Sequence, residues 1–399
     1  MPSAASHQVV IVGGGPVGLI NALGLARQGV DVIVLERHAD VVPEPRAMTY
    51  HWAVLDGLAE LGILEDMEAE GFRLHEMCYR VFRTGEVIRL GIDAVRHLTP
   101  YPYAVVLGQD QISRIVLQHL AAFPNASVQW STEVISVEQD GNGATIRARA
   151  SGQEIEIHAD WVIGADGARS LVRKASEADF VGFTWPEQFV ATNVRYDLGA
   201  HGWDDCNYLV DPEFGAVIAK VTSDGLWRVT FAEPADSPMG SIEERIEDFY
   251  RTVLPGTGPY NKTLHSVYRM HQRVASSMRT GRLLLAGDAA HATNPTNGFG
   301  LVSGMMDSLV LADALGAVIA GTAPQSVLDH YSDDRRRVFN EVATPSSSET
   351  KRLVFHSTDP ERLESDLTRL RSLAADPEMR VNQLMVGHGL LTPSLVPVP

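Results

Sequence analysis

Residues 8–18 read QVVIVGGGPVG, and this stretch decides the fold because a β-branched run passes directly into closely spaced glycines. Apolar residues then recur at helical spacing from Leu19 to Ala26, and Gly29 ends the predicted helix. A second buried strand is predicted at 31–37, which reads DVIVLER. The opening of the chain therefore predicts a strand, a tight turn, a helix and a parallel strand, joined by a right-handed crossover.

Three of these glycines, Gly13, Gly15 and Gly18, have the spacing of a dinucleotide-binding turn. Glycine permits the tight turn and lets a pyrophosphate approach the backbone, while the helix N-terminus offers unpaired N–H groups and a positive dipole end. Glu36 follows at the end of the second strand, where an acidic side chain can bind a ribose hydroxyl. The motif predicts FAD or NAD and does not choose between them.

Charge and composition exclude several classes of protein. The 399 residues include 33 Lys and Arg against 50 Asp and Glu, a net charge of −17, so we expect no nucleic-acid partner. The 45% of hydrophobic and 21% of charged residues exclude disordered, fibrous and membrane proteins. Cys78 and Cys206 give neither a disulfide framework nor a metal site. Residues 1–8 lack the features of a signal peptide, so we expect a soluble cytoplasmic protein with no membrane partner.

The middle of the chain is predicted to be rich in strands. A small antiparallel meander is expected from segments 127–138, 144–149 and 155–163. A second sheet, inserted between parts of the nucleotide-binding unit, is expected from segments 189–197, 206–211, 214–221 and 226–232.

The α/β pattern returns in the last third. A strand and turn are predicted at 282–288 and a helix at 301–320, and from 326 onward the chain is mainly helical and charged. The mixed charges of Asp333–Arg337 predict a solvated, ion-paired helix face without a binding site.

Two later motifs complete a recognisable set. GADGARS at 164–170 follows one predicted strand, and GRLLLAGDAAH at 281–291 contains another. Together with the early glycines and Glu36-Arg37, these motifs closely resemble the single-component FAD-dependent aromatic monooxygenases of the para-hydroxybenzoate hydroxylase fold family. Within that family, four stretches are most similar to the para-nitrophenol 4-monooxygenase type: 101–120, 189–198, 225–233 and 268–295.

The resemblance implies an α/β fold in which a Rossmann-like FAD-binding domain is interleaved with a substrate domain. The FAD-binding domain is expected at 1–180 and 268–330, with some substrate-domain segments around 75–105. The substrate-binding β-sheet is expected at 181–267, and a C-terminal helical region at 331–399.

The resemblance also assigns cofactor residues. The pyrophosphate is assigned to Gly13, Gly15, Pro16 and Gly18, the adenosine ribose to Glu36, and the cofactor groove to Arg37 and Arg46. Gln109, Gly287 and Asp288 are expected beside the ribityl chain, and Asp166 and Arg169 belong to a motif linked to both FAD and NAD(P)H. Pro295, Gly298, Gly300 and Leu301 are expected beside the isoalloxazine, where the helix dipole would stabilise negative charge on the reduced ring. NADPH or NADH is expected as a transient co-substrate.

In the family reaction, reduced flavin and O2 form a C4a-hydroperoxide that hydroxylates an electron-rich ring, so a small phenolic substrate is expected. The enzyme then needs a polar group that removes or stabilises the phenolic proton. The candidates are His271, Tyr208 and Arg195, with Pro295 beside the reacting centre; Tyr196 and Arg228 also lie on predicted strands of the second sheet. A structural role, such as a histidine packed at the sheet edge, is the alternative for each.

Attack at the nitro-bearing carbon of 4-nitrophenol would release nitrite and leave a quinone. The alternative is a flavoprotein of the same fold with other chemistry: a reductase, or a monooxygenase of a non-phenolic, polyketide or heteroaromatic substrate. A homodimer is compatible with either expectation.

Overall fold

Two large sheets carry the fold in the computed structural model, which describes residues 5–43 and 47–396. The first sheet runs, from one edge to the other, β17 (Arg279–Thr280), β18 (Leu283–Leu285), β11 (Gln153–Gly164), β1 (Ala5–Val12), β2 (Val32–Leu35) and β8 (Ala126–Gln129). Its centre is parallel, with β1 between β11 and β2. Residues Val9–Val12 are buried because both faces of this strand are covered.

The strands expected as a small antiparallel meander belong to this first sheet. β9 (Thr132–Gln139) and β10 (Ala144–Ala150) pair antiparallel, and β10 continues onto the first half of β11. β8 instead pairs parallel with β2, and the apolar second half of β11 pairs with β1 and β18. The expected antiparallel meander is therefore present as β9, β10 and the first half of β11. The start of its first segment was wrongly included, because β8 pairs parallel with β2.

Helices and a small sheet cover the first sheet. The helices are α1 (Pro16–Ala26), α2 (Trp52–Glu60), α3 (Leu64–Glu70), α4 (Gln109–Leu120), α5 (Leu171–Ala175) and α7 (Phe299–Ile319), and the small sheet is β3 (Thr49–Tyr50), β7 (Ala104–Val106) and β4 (Phe72–Leu74). Asn21 on α1 donates to Ser308 on α7 over 2.8 Å. Among the described helices α7 alone is long and apolar enough to cross a membrane, but two-thirds of its most apolar stretch is buried inside the protein, as expected of a core helix.

The second sheet has one face packed on a helix and one face turned toward the first sheet. Its order is β19 (His291–Ala292), β16 (Asn261–Ala275), β12 (Phe180–Arg195), β15 (Leu226–Pro234), β14 (Ala216–Lys220), β13 (Cys206–Val210), β5 (Glu76–Val81) and β6 (Val87–Gly91). Val190, Trp227 and Val229 pack against α6 (Ile242–Val253). Strand alternation therefore turns Ala191 and Arg228 to the opposite face.

Four helices close the described chain: α8 (Val327–Val338), α9 (Thr344–Phe355), α10 (Pro360–Ala375) and α11 (Pro377–His388), with a π-helical turn at Phe339–Ala343. Leu367 and Leu370 of α10 pack against Ile88 and Leu90 of the edge strand β6. This helix therefore covers apolar side chains of the second sheet near its β6 end. The division into domains stays a prediction. The expected boundary at 180/181 lies at the start of β12, and the one at 267/268 lies inside the continuous strand β16.

The charged block 333–337 is not uniformly solvated, which corrects the sequence expectation. Arg337 is half exposed, whereas the side chain of Arg335 is 1% exposed and its Nε donates to Asp307 over 2.8 Å. Arg335 follows Leu328 and Tyr331 at helical spacing and so lies on the buried face of α8. The expectation failed because residues that are neighbours in the sequence lie on different sides of a helix.

Asp307 on α7 joins this arginine to the turn after β18. Its Oδ2 accepts hydrogen bonds from the Gly287 N–H over 2.9 Å and from His291 Nε2 over 2.6 Å. Burial alone would raise the pKa of Asp307, but the charges and hydrogen bonds of His291 and Arg335 outweigh it and hold the pKa at about 2. The carboxylate therefore stays ionised in the core.

We expect Arg335→Met to lower the free energy of unfolding by about 3–5 kcal/mol, because it leaves the Asp307 charge buried without its partner. Arg337→Met, on the exposed face of the same helix, should cost less than about 1 kcal/mol. Urea unfolding of the two purified variants measures the difference, and equal losses would contradict the assignment.

Candidate functional site

The turn between β1 and α1 has room for a ligand at one glycine and none at two others. Gly13 has φ +109°, and a Cβ there would overlap the carbonyl of Ala165. A Cβ at Gly18 would overlap the carbonyl oxygen of Gly13. Gly15, the N-cap of α1, has no atom within 4 Å of a Cβ position, and Pro16 begins the helix. The turn therefore leaves open space at a helix N-terminus.

Glu36 lies beside this space at the end of β2. Its Oε2 accepts from the Gly14 N–H over 2.7 Å, and its Oε1 accepts from the His38 N–H over 2.9 Å. A carboxylate has about four acceptor positions, so it can also accept from a ribose hydroxyl. Arg37 is exposed, and Arg46 lies outside the described residues.

Side-chain hydrogen bonds stabilise the turn after β11. Asp166 Oδ2 accepts from the Leu171 N–H over 2.6 Å and so caps α5, while Arg169 is exposed. Arg173, which the sequence analysis missed, is buried and donates to the carbonyls of Ala168 and Ala289 over 2.8 and 2.7 Å. It joins this turn to the one that follows β18.

A cavity of about 500 Å³ lies between these turns and the inner face of the second sheet. Nine of the predicted cofactor residues line it: Gly15, Pro16, Gln109, Gly287, Asp288, Pro295, Gly298, Gly300 and Leu301. Tyr208 and His271, predicted as catalytic, line it as well. Gly13, Gly18, Glu36, Arg37, Asp166 and Arg169 lie outside its lining.

Arg195 does not reach this cavity. It shares strand parity with the cavity-lining residues Phe189 and Ala191, but it lies six residues beyond Phe189, roughly 20 Å along an extended strand. Its exposed side chain pairs with Asp224 over 2.9 Å. Alternation along a strand predicts which face of the sheet a residue lies on, but not how far along the strand the cavity extends.

The two candidates for handling the phenolic proton that line the cavity, Tyr208 and His271, are both uncharged. Burial raises the pKa of Tyr208 well above its usual value, so its phenol stays protonated. His271 Nδ1 hydrogen-bonds to Thr184 Oγ1 over 2.9 Å. Burial lowers the pKa of His271, and the charges of Arg273, Arg269 and Arg169 lower it further, so the imidazole is neutral at pH 7.

Side chains from distant segments hold the loop 293–298, which contains Pro295. Gln272 Oε1 accepts from Thr293 Oγ1 over 3.2 Å, and Gln272 Nε2 donates to Thr344 Oγ1 over 2.9 Å. The backbone at Asn297 is held by His51, whose Nε2–H donates to the carbonyl over 2.8 Å. On α9, Ser347 Oγ hydrogen-bonds to Thr293 Oγ1 over 2.8 Å. The loop is thus fixed by β16, by the start of α2 and by α9. Gln272, Thr344 and His51 have no local motif that marks this role.

The geometry fits FAD. The open space at Gly15 can accept a pyrophosphate at the N-terminus of α1, and the carboxylate of Glu36 beside it can accept from a hydroxyl group. Asp288 is exposed in the cavity, and the 21-residue helix α7 begins there after Gly298, whose φ is +68°. The space between these groups and the second sheet remains for a flat substrate.

Comparison with protein families and curated proteins agrees with this geometry. A family model described as an FAD binding domain matches residues 6–346. The chain is 41% identical over 371 residues to a 6-hydroxy-3-succinoylpyridine 3-monooxygenase of Pseudomonas putida, covering 93% of this chain and 94% of that protein. It is 39% identical over 362 residues to a para-nitrophenol 4-monooxygenase of a Pseudomonas species, covering 90% of each.

Solved structures are similar over nearly the whole chain. A crystal structure of p-nitrophenol 4-monooxygenase from Pseudomonas putida aligns with a TM-score of 0.95 and 36% identity, covering 98% of this chain and 99% of that one. A ternary complex of aklavinone-11 hydroxylase with FAD and aklavinone aligns with a TM-score of 0.80 and 26% identity, covering 92% and 71%.

The glycine turn generates a test that separates folding from cofactor binding. Gly15→Ala should fold normally yet retain at least tenfold less FAD, because its methyl group enters only the open space. Gly18→Ala should lower the unfolding midpoint itself, because its methyl group meets the Gly13 carbonyl. Flavin absorbance per protein and thermal unfolding measure the two effects, with Gly387→Ala at an open position of α11 as the control. Full flavin content in Gly15→Ala would contradict the assignment.

Proposed function

Because the chain belongs to the family of FAD-dependent aromatic monooxygenases, we propose that it hydroxylates a phenolic ring, with a para-substituted phenol such as 4-nitrophenol as its substrate. The main support for the proposal is that one cavity joins the dinucleotide turns to the inner face of the second sheet. The likeness to para-nitrophenol 4-monooxygenases over the whole chain supports the choice of substrate.

The proposed reaction balances with the co-substrates of the family. 4-Nitrophenol, O2, NAD(P)H and one proton give 1,4-benzoquinone, nitrous acid, NAD(P)+ and water. A C–O bond forms at the carbon that bore the nitro group, and the nitro group leaves as nitrite with the electron pair of the C–N bond. NAD(P)H supplies the two electrons that reduce the second oxygen atom to water.

FAD, when bound and reduced by NAD(P)H, would supply the activated oxygen. Gly15 and the N-terminus of α1 would hold its pyrophosphate, Glu36 its ribose and Asp288 a ribityl hydroxyl. The rigid loop around Pro295 would fix the ring against the substrate. Apolar wall residues of the second sheet, among them Phe189, would exclude water from the reacting centre.

His271 is proposed to receive the phenolic proton. It lines the cavity, and its neutral imidazole has a lone pair that can accept a proton. The three neighbouring arginines disfavour the imidazolium and favour a phenolate, so His271 would pass its proton onward and not retain it. Tyr208, which stays protonated, would donate a hydrogen bond to the substrate.

A hydroxylated nitrogen heterocycle is the second candidate substrate. The observation that favours it is the 41% identity to a 6-hydroxy-3-succinoylpyridine 3-monooxygenase over 93% of the chain. A hydroxypyridine ring and a phenol ring are equally flat, and both carry an ionisable hydroxyl. The same cavity could therefore accept either ring, and turnover of the two substrates distinguishes them.

The compartment and assembly are also inferences. We infer a cytoplasmic protein because Cys78 and Cys206 are free, buried thiols, as is usual in a reducing compartment. A homodimer stays a prediction, and the mass of the purified holoprotein in solution tests it.

We expect a substrate phenol to accelerate NAD(P)H consumption by the holoprotein by at least tenfold and to release nitrite in equal molar amount from 4-nitrophenol. The assay follows NAD(P)H absorbance, nitrite and hydrogen peroxide for 4-nitrophenol, 6-hydroxy-3-succinoylpyridine and unsubstituted benzene. Acceleration by the pyridine alone would replace the phenol with the heterocycle. Acceleration by none of the aromatic compounds would contradict both candidates.

His271→Asn should keep its FAD but lower coupled turnover by about 10²-fold, because it removes the proton acceptor. The acid limb of the wild-type pH profile should have its midpoint below pH 6.5, since the pKa of His271 is lowered, and this limb should vanish in the variant. His265→Asn, on the same strand but paired with Glu243, is the matched control. An unchanged profile and full coupling in His271→Asn would exclude the role.

A further inference from the structure

Strands β5 and β12–β15 of the second sheet present small and apolar side chains to the cavity, with Arg228 among them. A second arginine, Arg269 on the neighbouring strand β16, also lines the cavity. Cross-strand register aligns Arg228 on β15 with Asn193 on β12 and Ala219 on β14, and it aligns Ala219 with Cys206 on β13. The next row contains Ala191, Thr230, Val217 and Tyr208. Among the described residues of β5 and β12–β15 that line the cavity, Arg228 is the one with a charged side chain.

The guanidinium of Arg228 is held in place by its own sheet. Its Nε donates to Asn193 Oδ1 over 3.0 Å across the β12–β15 pair. On either side, Trp227 and Val229 are anchored in the core against α6. A side chain fixed in this way loses little conformational freedom when it binds a ligand.

The surroundings of Arg228 favour a negative partner. Burial lowers the pKa of Arg228 to about 10, and Tyr268, Asp110 and Tyr50 oppose that shift. The group therefore stays cationic at neutral pH in a poorly solvated position. Charges interact more strongly in a poorly solvated position than in water, so this cation would favour an anion in the cavity over a neutral group of the same shape.

We propose that Arg228 binds the negatively charged oxygen of the aromatic substrate and thereby selects ionised over neutral rings. This inference rests on the proposed function, because it concerns the substrate of the same cavity. A planar guanidinium suits an oxyanion on a flat ring, which is either a phenolate oxygen or a carboxylate substituent. The two sources share one chemistry and are separated by the choice of probe.

The test measures affinity, not turnover. Isothermal calorimetry of the oxidised holoprotein uses 4-nitrophenol, at a pH where it is ionised, and its neutral methyl ether 4-nitroanisole. A second pair is 4-nitrobenzoate and its methyl ester. The wild type should bind at least one anion about tenfold or more tightly than its neutral counterpart. Equal or weaker binding of both anions, or no binding of either, would overturn the proposal.

Variants identify the residue responsible. Arg228→Met should weaken the preferred anion by at least tenfold and leave its neutral counterpart within about twofold, whereas Arg228→Lys should retain part of the preference. Arg195→Met, which removes an exposed arginine of the same sheet outside the cavity, should change neither affinity. An equal loss for anion and ether in Arg228→Met, or no loss for either, would overturn the assignment.

The outcomes distinguish this inference from the proposed function. Loss of 4-nitrophenolate binding indicates the phenolate oxygen, and loss of 4-nitrobenzoate binding alone indicates a carboxylate. Flavin absorbance and thermal unfolding verify that each variant holds FAD. If Arg228→Met does not fold, the proposal is judged from the anion preference of the wild type and from its reduction in Arg228→Lys. Tight binding of 4-nitrophenolate without nitrite release would refute the proposed substrate but leave the role of Arg228 standing.

Discussion

The carboxylate of Asp307 is the buried contact on which the cofactor-facing loops depend. It accepts hydrogen bonds from Gly287 and His291, in the turn after β18, and from Arg335 on α8. Arg335 in turn donates to the carbonyl of Leu390 over 2.6 Å. Since a buried carboxylate needs all its partners, the turn, α7, α8 and the end of the described chain must fold together. Among the described residues none after Leu301 lines the cavity, so α8 contributes by supporting the turn after β18.

The two walls of the cavity come from different parts of the fold. One wall consists of turns at the ends of parallel strands, where open α/β sheets usually bind ligands. The other is a sheet whose strands come from both early and late parts of the chain, with β5 beside β13. The loop 293–298 passes between them and is held by Gln272 on β16 and by Ser347 on α9. A flat ring held between the walls would contact both.

The parts of the site that could be predicted from the sequence are those with local requirements. Gly13 is required by its own φ of +109° and Gly18 by the Gly13 carbonyl in the same turn, so their spacing was informative. FAD binding and the α/β fold were confirmed by the family match. Arg335 and Arg173 were missed because their partners are distant in sequence. Arg195 was wrongly placed in the site because strand parity gives the face of a residue but not its distance from the cavity. The role of Arg46 stays a prediction.

Strand alternation in the second sheet separates what this protein binds from what keeps it folded. Trp227 and Val229 belong to the core against α6, whereas their neighbours Arg228 and Thr230 line the cavity. A substitution of a residue that faces the cavity changes the shape or charge offered to a substrate ring, but it leaves the packing against α6 intact. Substrate preference can therefore change through successive single substitutions, while the alternate residues of each strand, which pack against α6, preserve the fold.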